Sequence, residues 1–355
     1  MSRIRRIAHF GQQVWLDNLS RELLHSGKLQ RWIDEDAIAG VTSNPAIFFN
    51  AIRQDAHYQA DLVQLKACEP DPERRFERLV LPDIQAACDL LRPRHEASDG
   101  DQGYVSFEVS PQLAQDAAGT LAAARRLWAA IDRSNAMIKI PATRACLPAI
   151  RDSIAEGINI NVTLMFSPRH LEGVFAACLD GLNARHAAGR PLEGVRSVAS
   201  CFLSRVDSLI DPQLPQAAAA LRGQIAIASA RVAYATWQET FSGDGFAALK
   251  AAGARAPSCL WASTGTKNPA YSDVRYVEQL IGPDTVNTVP DATLAAFADH
   301  GEAAASLTRD LDEAVRQLSD LAALGFDLDD LGEQLQQDGL RQFDEAYAKL
   351  LQRVG

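Results

Sequence analysis

Histidine and cysteine are scarce in this sequence of 355 residues, and neither is arranged for chemistry. The seven His show no HxxxH or Cys/His ligand spacing, so the sequence offers no metal site. The six Cys, at positions 68, 88, 146, 178, 201 and 259, are scattered without a CxxC pair. In a chain of this length that scatter reads as reduced, mostly buried thiols in a cytoplasmic protein. Positive charge is also in deficit: 35 Lys and Arg against 45 Asp and Glu leave a net charge of -10. A nucleic-acid surface relies on clustered cations, so that class is excluded, whereas a small phosphorylated ligand needs only a few local ones. No run is long and apolar enough to span a membrane. The first twenty residues carry basic side chains but no apolar run behind them, unlike a secretory leader. Linkers of Gly/Ser/Pro composition and low-complexity tracts are missing as well, which predicts one domain over 1–355.

What is present is an alternation of short β-rich runs with longer amphipathic, Ala/Leu-rich stretches. The runs are Gln13–Asp17, Gly40–Ser43, Tyr104–Glu108, Ala136–Ile140, Ile158–Thr163, Ser197–Phe202, Cys259–Ser263 and Thr285–Val289. Helices are expected between them, for example over Pro111–Ile131, Ala145–Glu156 and Arg169–Ala188. Strands alternating with helices imply a parallel sheet, and eight such units imply a closed (β/α)8 TIM barrel. An open doubly wound sheet is the alternative, but no GxGxxG follows any strand. Two helical insertions, near 50–98 and 205–254, exceed the simple repeat. A Leu-rich tail from about Glu302 to Gly355 is expected to pack as a helix across the barrel wall.

Barrel chemistry sits at the C-terminal strand ends. Those ends carry Asp17, Asn44, Glu108, Lys139, Asn161, Thr163, Ser200 with Arg205 beyond it, and Ser263 with Lys267 beyond it. Burying this many polar groups is unfavourable unless they are bonded or used. Lys139 lies inside the apolar run MIKIP. Burial there favours the neutral amine, a nucleophile toward carbonyl carbon. The same lysine could equally snorkel, or pair with Glu108 or Asp17. Imine chemistry also needs an acid/base to release water, for which Glu108 is the candidate. It needs a base for carbon–carbon cleavage, for which Asp17 is the candidate. Asn44, Asn161, Thr163 and Ser200 offer amides and hydroxyls to sugar hydroxyls; Asn44 before Pro45 also reads as a turn initiator.

At these residues the sequence resembles the transaldolase family. The matching segments are VWLDNLSRELL, GVTSNPAIF, VSFEVSP, MIKIPAT, GININVTLMFS and VASCFLSRVD, in the family's order, with LWASTGTKNPAYSDVRYVEQLIGPDTVNTVPDAT extending the match to Thr293. The wording TSNPAIF and WASTGTKNP is similar to the longer bacterial branch, which also occurs fused to a glucose-6-phosphate isomerase; a chain stopping at Gly355 is expected to lack that half. The resemblance implies transfer of a dihydroxyacetone unit from fructose 6-phosphate or sedoheptulose 7-phosphate to erythrose 4-phosphate or glyceraldehyde 3-phosphate, in the non-oxidative pentose phosphate pathway. It implies no cofactor and no metal. It makes Lys139 the Schiff-base lysine, Asp17 the cleavage base and Glu108 the water-activating acid/base. Asn44 and Asn161 would bind the dihydroxyacetone part, Thr163 the water beside Glu108, and Ser200 and Arg205 the phosphate. Phe202, Ser263 and Lys267 complete the candidate substrate-binding set. The better-known branch reads Ser-Pro-Phe-x-Gly-Arg in the sixth strand and has an arginine after the seventh. This chain reads Ser200-Cys201-Phe202-Leu203-Ser204-Arg205 and offers Ser263, Thr264 and Lys267. Partners are then sugar phosphates, without nucleic acid or membrane, for a monomer or homodimer in the cytoplasm. Two other readings remain: a fructose-6-phosphate aldolase-like lyase using the same lysine, and a silent sugar-phosphate-binding barrel.

Overall fold

A computed structural model describes residues 2–355. Eight parallel strands close on themselves in chain order, so each strand pairs with its sequence neighbours and β8 returns to β1. The strands are β1 (Gln12–Asp17), β2 (Gly40–Thr42), β3 (Tyr104–Glu108), β4 (Ala136–Pro141), β5 (Ile160–Met165), β6 (Ser197–Phe202), β7 (Ser258–Ala262) and β8 (Thr285–Val289). This is the expected (β/α)8 barrel, and all eight runs coincide with a strand. The largest shift is at β5, which begins and ends two residues later than the sequence run Ile158–Thr163.

Side chains of one parity fill the barrel interior, led by Trp15, Tyr104, Met137, Val198, Leu260 and Val286. Those of the other parity, such as Leu16, Val41, Val105, Ile138, Ile140 and Ile160, face the helices and join the larger core. A strand covered on both sides thus reads as a continuous apolar run. Trp15 needs a gap in its neighbour. It is registered against Gly40, where a Cβ would approach the indole to 2.5 Å.

Helix starts follow local chemistry. Ser167 caps the helix Pro168–Ala187 by accepting from His170 N, with Pro168 at the first turn. The expected helix over Pro111–Ile131 is broken: a 3-10 turn, Pro111–Leu113, precedes the helix Ala117–Ile131, which Asp116 caps through Gly119 N. The helix expected from Ala145 begins at Leu147. The first insertion holds the helices Gln59–Cys68 and Pro72–Ala97 after Pro45–Gln54; the second holds Ile225–Ser242 and Asp244–Ala251.

The tail departs from its expectation. It forms two helices, of which Leu311–Ala323 packs on the wall against Ile225–Ser242 as expected. The last helix, Leu328–Val354, contacts the helices Pro45–Gln54, Pro72–Ala97 and Pro168–Ala187, the Pro111–Leu113 turn and the end of β5. It therefore lies over the C-terminal mouth of the barrel. Its apolar stripe required burial on one face, which the mouth satisfies as well as the wall does.

Candidate active site

Strand register brings the chemistry together. Glu108 is paired with Lys139 across β3 and β4, and Lys139 with Asn161 across β4 and β5. Asp17 is paired with Thr42 across β1 and β2. All have inward parity: Asp17 and Glu108 end their strands, Lys139 lies two residues before the end of β4, and Asn161 is the second residue of β5.

Lys139 is only 5% exposed. Its Nζ donates to the Ser43 carbonyl at 3.2 Å and lies 3.6 Å from Glu108 Oε2, an ion-pair distance beyond good hydrogen-bond length. The ring of Phe343, from the last helix, is centred 5.9 Å from the same nitrogen. Burial pushes the Glu108 carboxyl up to about 7 against the attraction of Lys139. Burial also raises the Asp17 carboxyl above its usual range; Lys139 and a hydrogen bond from Thr42 pull the other way. That bond, from Thr42 Oγ1 to Asp17 Oδ1, is 2.7 Å long. Thr42 has one proton to give, so Thr288, 2.7 Å away, must donate to Thr42 in turn.

A second chain crosses the middle of the mouth. Ser200 Oγ donates to Asn161 Oδ1 at 2.7 Å, and Asn161 Nδ2 donates to Ser106 Oγ at 2.9 Å. Thr163 Oγ1 and Glu108 Oε2 are buried with no protein hydrogen-bond partner. Both are therefore free to hold a small polar group.

Asn44 caps the helix Pro45–Gln54 by accepting from Ile47 N at 3.0 Å. Its oxygen is thereby committed to the turn and its amide NH2 is left for the cleft. Arg205 is half-buried beside the Phe202 ring, 5.7 Å from its centroid, and its Nη1 is buried without a partner. Burial lowers its pKa, and Asp338 of the last helix counters this. Lys267 is exposed. Ser263 adopts a left-handed φ of 55°, uncommon for serine, with its Oγ 2.9 Å from Ser204 Oγ.

Asp17, Asn44, Lys139, Asn161, Thr163, Ser200, Phe202, Arg205, Ser263 and Lys267 all line one cleft of about 770 Å³ that opens to solvent. Glu108 does not line it. It opens onto a narrower pocket behind Lys139, beside Phe48, Phe76 and Tyr347. Sequence reasoning missed Thr42, Ser106, Thr288 and Phe343. Thr42 is registered against Asp17 at the end of β2, and Ser106 stands two residues before Glu108 on β3, so strand alternation could have found them. Phe343 carried no such signal. Among the described residues no group of three or more His, Cys, Asp or Glu could hold a metal ion.

A buried lysine near a barrel mouth, ranged beside two carboxyls that burial raises above their usual range, is the arrangement that imine chemistry on a carbonyl substrate would require. The profile of the transaldolase/fructose-6-phosphate aldolase family matches residues 14–354, and the chain belongs to that family. Similar proteins named transaldolase include one from Thiobacillus denitrificans, 49% identical over all of both chains. Another, from Neisseria gonorrhoeae, is 49% identical over 99% of each chain. A third, from Mycolicibacterium smegmatis, is 46% identical over 96% of this chain and 93% of its own.

Proposed function

We propose that the protein is a transaldolase, moving a dihydroxyacetone unit from a ketose phosphate to an aldose phosphate through an imine on Lys139. The observation that carries the reading is Lys139 itself, buried on β4 between Glu108 and Asn161 in register. Full-length relatives bearing the transaldolase name support the reaction.

In this reading the Lys139 amine adds to the C2 carbonyl of fructose 6-phosphate. Glu108, held near neutrality, gives a proton to the carbinolamine hydroxyl, which leaves as water. The unpartnered Thr163 Oγ1 and Glu108 Oε2 are suited to hold that water. Asp17 then takes the proton of the C4 hydroxyl. The C3–C4 bond breaks, its electrons pass to the iminium nitrogen, and an aldose phosphate departs. The three-carbon enamine attacks an acceptor aldehyde, Asp17 returns its proton, and water releases the new ketose. Asn44 and Asn161 hold the dihydroxyacetone hydroxyls, with Ser200 orienting Asn161. Arg205, Ser200, Ser263 and Lys267 receive the phosphate beside Phe202, Lys267 lying close enough for its charge to reach Asp17. The same reading carries a cytoplasmic enzyme, monomeric or homodimeric; no helix among the described residues is long and apolar enough to cross a membrane.

The test is borohydride reduction with fructose 6-phosphate. A reduced three-carbon adduct is expected on the peptide holding Lys139. Lys139→Ala should abolish adduct and turnover, Asp17→Ala should accumulate a six-carbon adduct, and Glu108→Ala should slow imine formation and hydrolysis together. Near-normal turnover in Lys139→Ala, or an adduct on another lysine, would overturn the assignment. Turnover without an acceptor aldehyde would point to an aldolase instead.

A further inference from the structure

The last helix does more than cover the mouth. Its Gln336 is 5% exposed and reaches two strand ends at once. Gln336 Nε2 donates to the Ala142 carbonyl just past β4 at 3.1 Å, and to the Leu164 carbonyl of β5 at 3.0 Å. Both hydrogens of the amide are thereby used, each on a carbonyl at the catalytic end of a strand.

The Leu164 carbonyl is available because β5 is irregular there. The β5–β6 register passes from Val162↔Ala199 to Met165↔Cys201, so β5 carries one residue more than β6 over that step. Leu164 takes the extra turn with φ of 60°, a genuine outlier for a bulky side chain. Such a conformation persists only when its surroundings over-determine it. The last helix supplies that constraint from two sides. Gln336 holds the carbonyl, and Gly339, one turn on, lies so close that a Cβ would meet Leu164 Cδ2 at 2.9 Å. Gly332, one turn before, likewise sits against Ser167, the cap of the following helix.

The residue before Leu164 is Thr163, whose Oγ1 is buried and unpartnered. Ala142 N donates to the Thr163 carbonyl at 2.8 Å, so Gln336 grips the segments on both sides of Thr163. We infer that Gln336 is a positioning residue: it locks the left-handed Leu164 turn and so aims the Thr163 hydroxyl at the water exchanged between Lys139 and the substrate. The inference rests on the proposed Lys139 mechanism. It predicts a defect in one step only. Dehydration and rehydration at C2 depend on Thr163; carbon–carbon cleavage depends on Asp17 over on β1, whose hydrogen-bonded partners Thr42 and, behind it, Thr288 lie on β2 and β8.

Exchange of ¹⁸O from the C2 carbonyl of fructose 6-phosphate into water reads the dehydration step alone, because the ketone oxygen leaves as water and returns from solvent. Gln336→Met keeps the length of the side chain and removes both donors. It should slow this exchange by about ten- to a hundredfold, the scale of a misplacement of about an ångström. The trapped adduct should still be the three-carbon one, with KM little changed. Gln336→His, whose Nε2 reaches about as far and can keep one N–H, should exchange at a rate between those of the wild type and Gln336→Met. Should Gln336→Met fail to fold, Gln336→His alone still reads the effect. Wild-type exchange in the variants, or a six-carbon adduct accumulating in them, would overturn the inference. A wild-type protein showing neither exchange nor adduct would sink the Lys139 mechanism on which it rests.

Discussion

At Glu108 burial outweighs the attraction of Lys139 beside it, which raises the carboxyl to a state in which it holds its proton up to about pH 7. That state has a thermodynamic signature. A carboxyl raised from its ordinary 4.5 to about 7 binds its proton more tightly in the folded than in the unfolded protein. Its contribution to stability is therefore present below pH 4.5, lost as pH rises toward 7, and constant above. The loss approaches about 3 kcal/mol across that window. Glu108→Gln cannot titrate, so its melting temperature relative to wild type should climb from pH 4.5 to 7 and then level off. Calorimetry at several pH values checks this. A stability difference flat across the window would mean that Glu108 titrates as an ordinary carboxyl. The sequence could nominate Glu108, since an acid after Tyr-Val-Ser-Phe stands out. It could not tell that Glu108 opens onto a separate pocket rather than the cleft, because that pocket is built from residues distant in sequence, among them Phe48, Phe76 and Tyr347.

At the scale of the element, β2 has three residues and works only because one of them is glycine. Trp15 fills the floor of the barrel against the bare Gly40 backbone, and two residues on Thr42 donates to Asp17. Gly40→Ala would set a methyl 2.5 Å from the indole, so the Trp15 ring or the β2 backbone would have to shift. Overpacking of this kind costs about 1–3 kcal/mol. The shift should pass along β2 to Thr42, so turnover should fall with stability. Adding Trp15→Phe should restore much of the melting temperature. A Gly40→Ala protein melting like wild type would show that the floor can relax. The eight strands were legible because parallel strands buried on both faces read as short apolar runs, interrupted at the ends by the polar residues of the mouth. The end of β5 was not, since its extra residue follows from register with β6 and not from any local signal. Nor was the seat of the last helix. A stripe holding Leu335, Phe343, Tyr347 and Leu350 demands a partner but does not name one.

Across the whole molecule the charge is wrong for the substrate. A net charge of -10 repels a sugar phosphate at long range, yet Lys139, Arg205 and Lys267 converge on the cleft. The two cations proposed for the phosphate differ in how they meet solvent. Lys267 is exposed, so its pull should weaken once the screening length falls to a few ångströms. Arg205 is half-buried, with Nη1 sealed from water, and a contact made there should be screened much less. Lys267→Ala and Arg205→Ala should therefore both raise KM for fructose 6-phosphate and spare unphosphorylated fructose. The Lys267→Ala penalty should shrink as salt rises from about 0.02 to 0.3 M, whereas the Arg205→Ala penalty should persist. Arg205 should also matter more in absolute terms, because its planar fork can bond two phosphate oxygens where a lysine acts as a point charge. Penalties that are equal for fructose and fructose 6-phosphate would remove both residues from the phosphate site. An Arg205→Ala penalty that faded with salt as fast as that of Lys267→Ala would place the phosphate out in solvent, beyond the sealed part of the cleft.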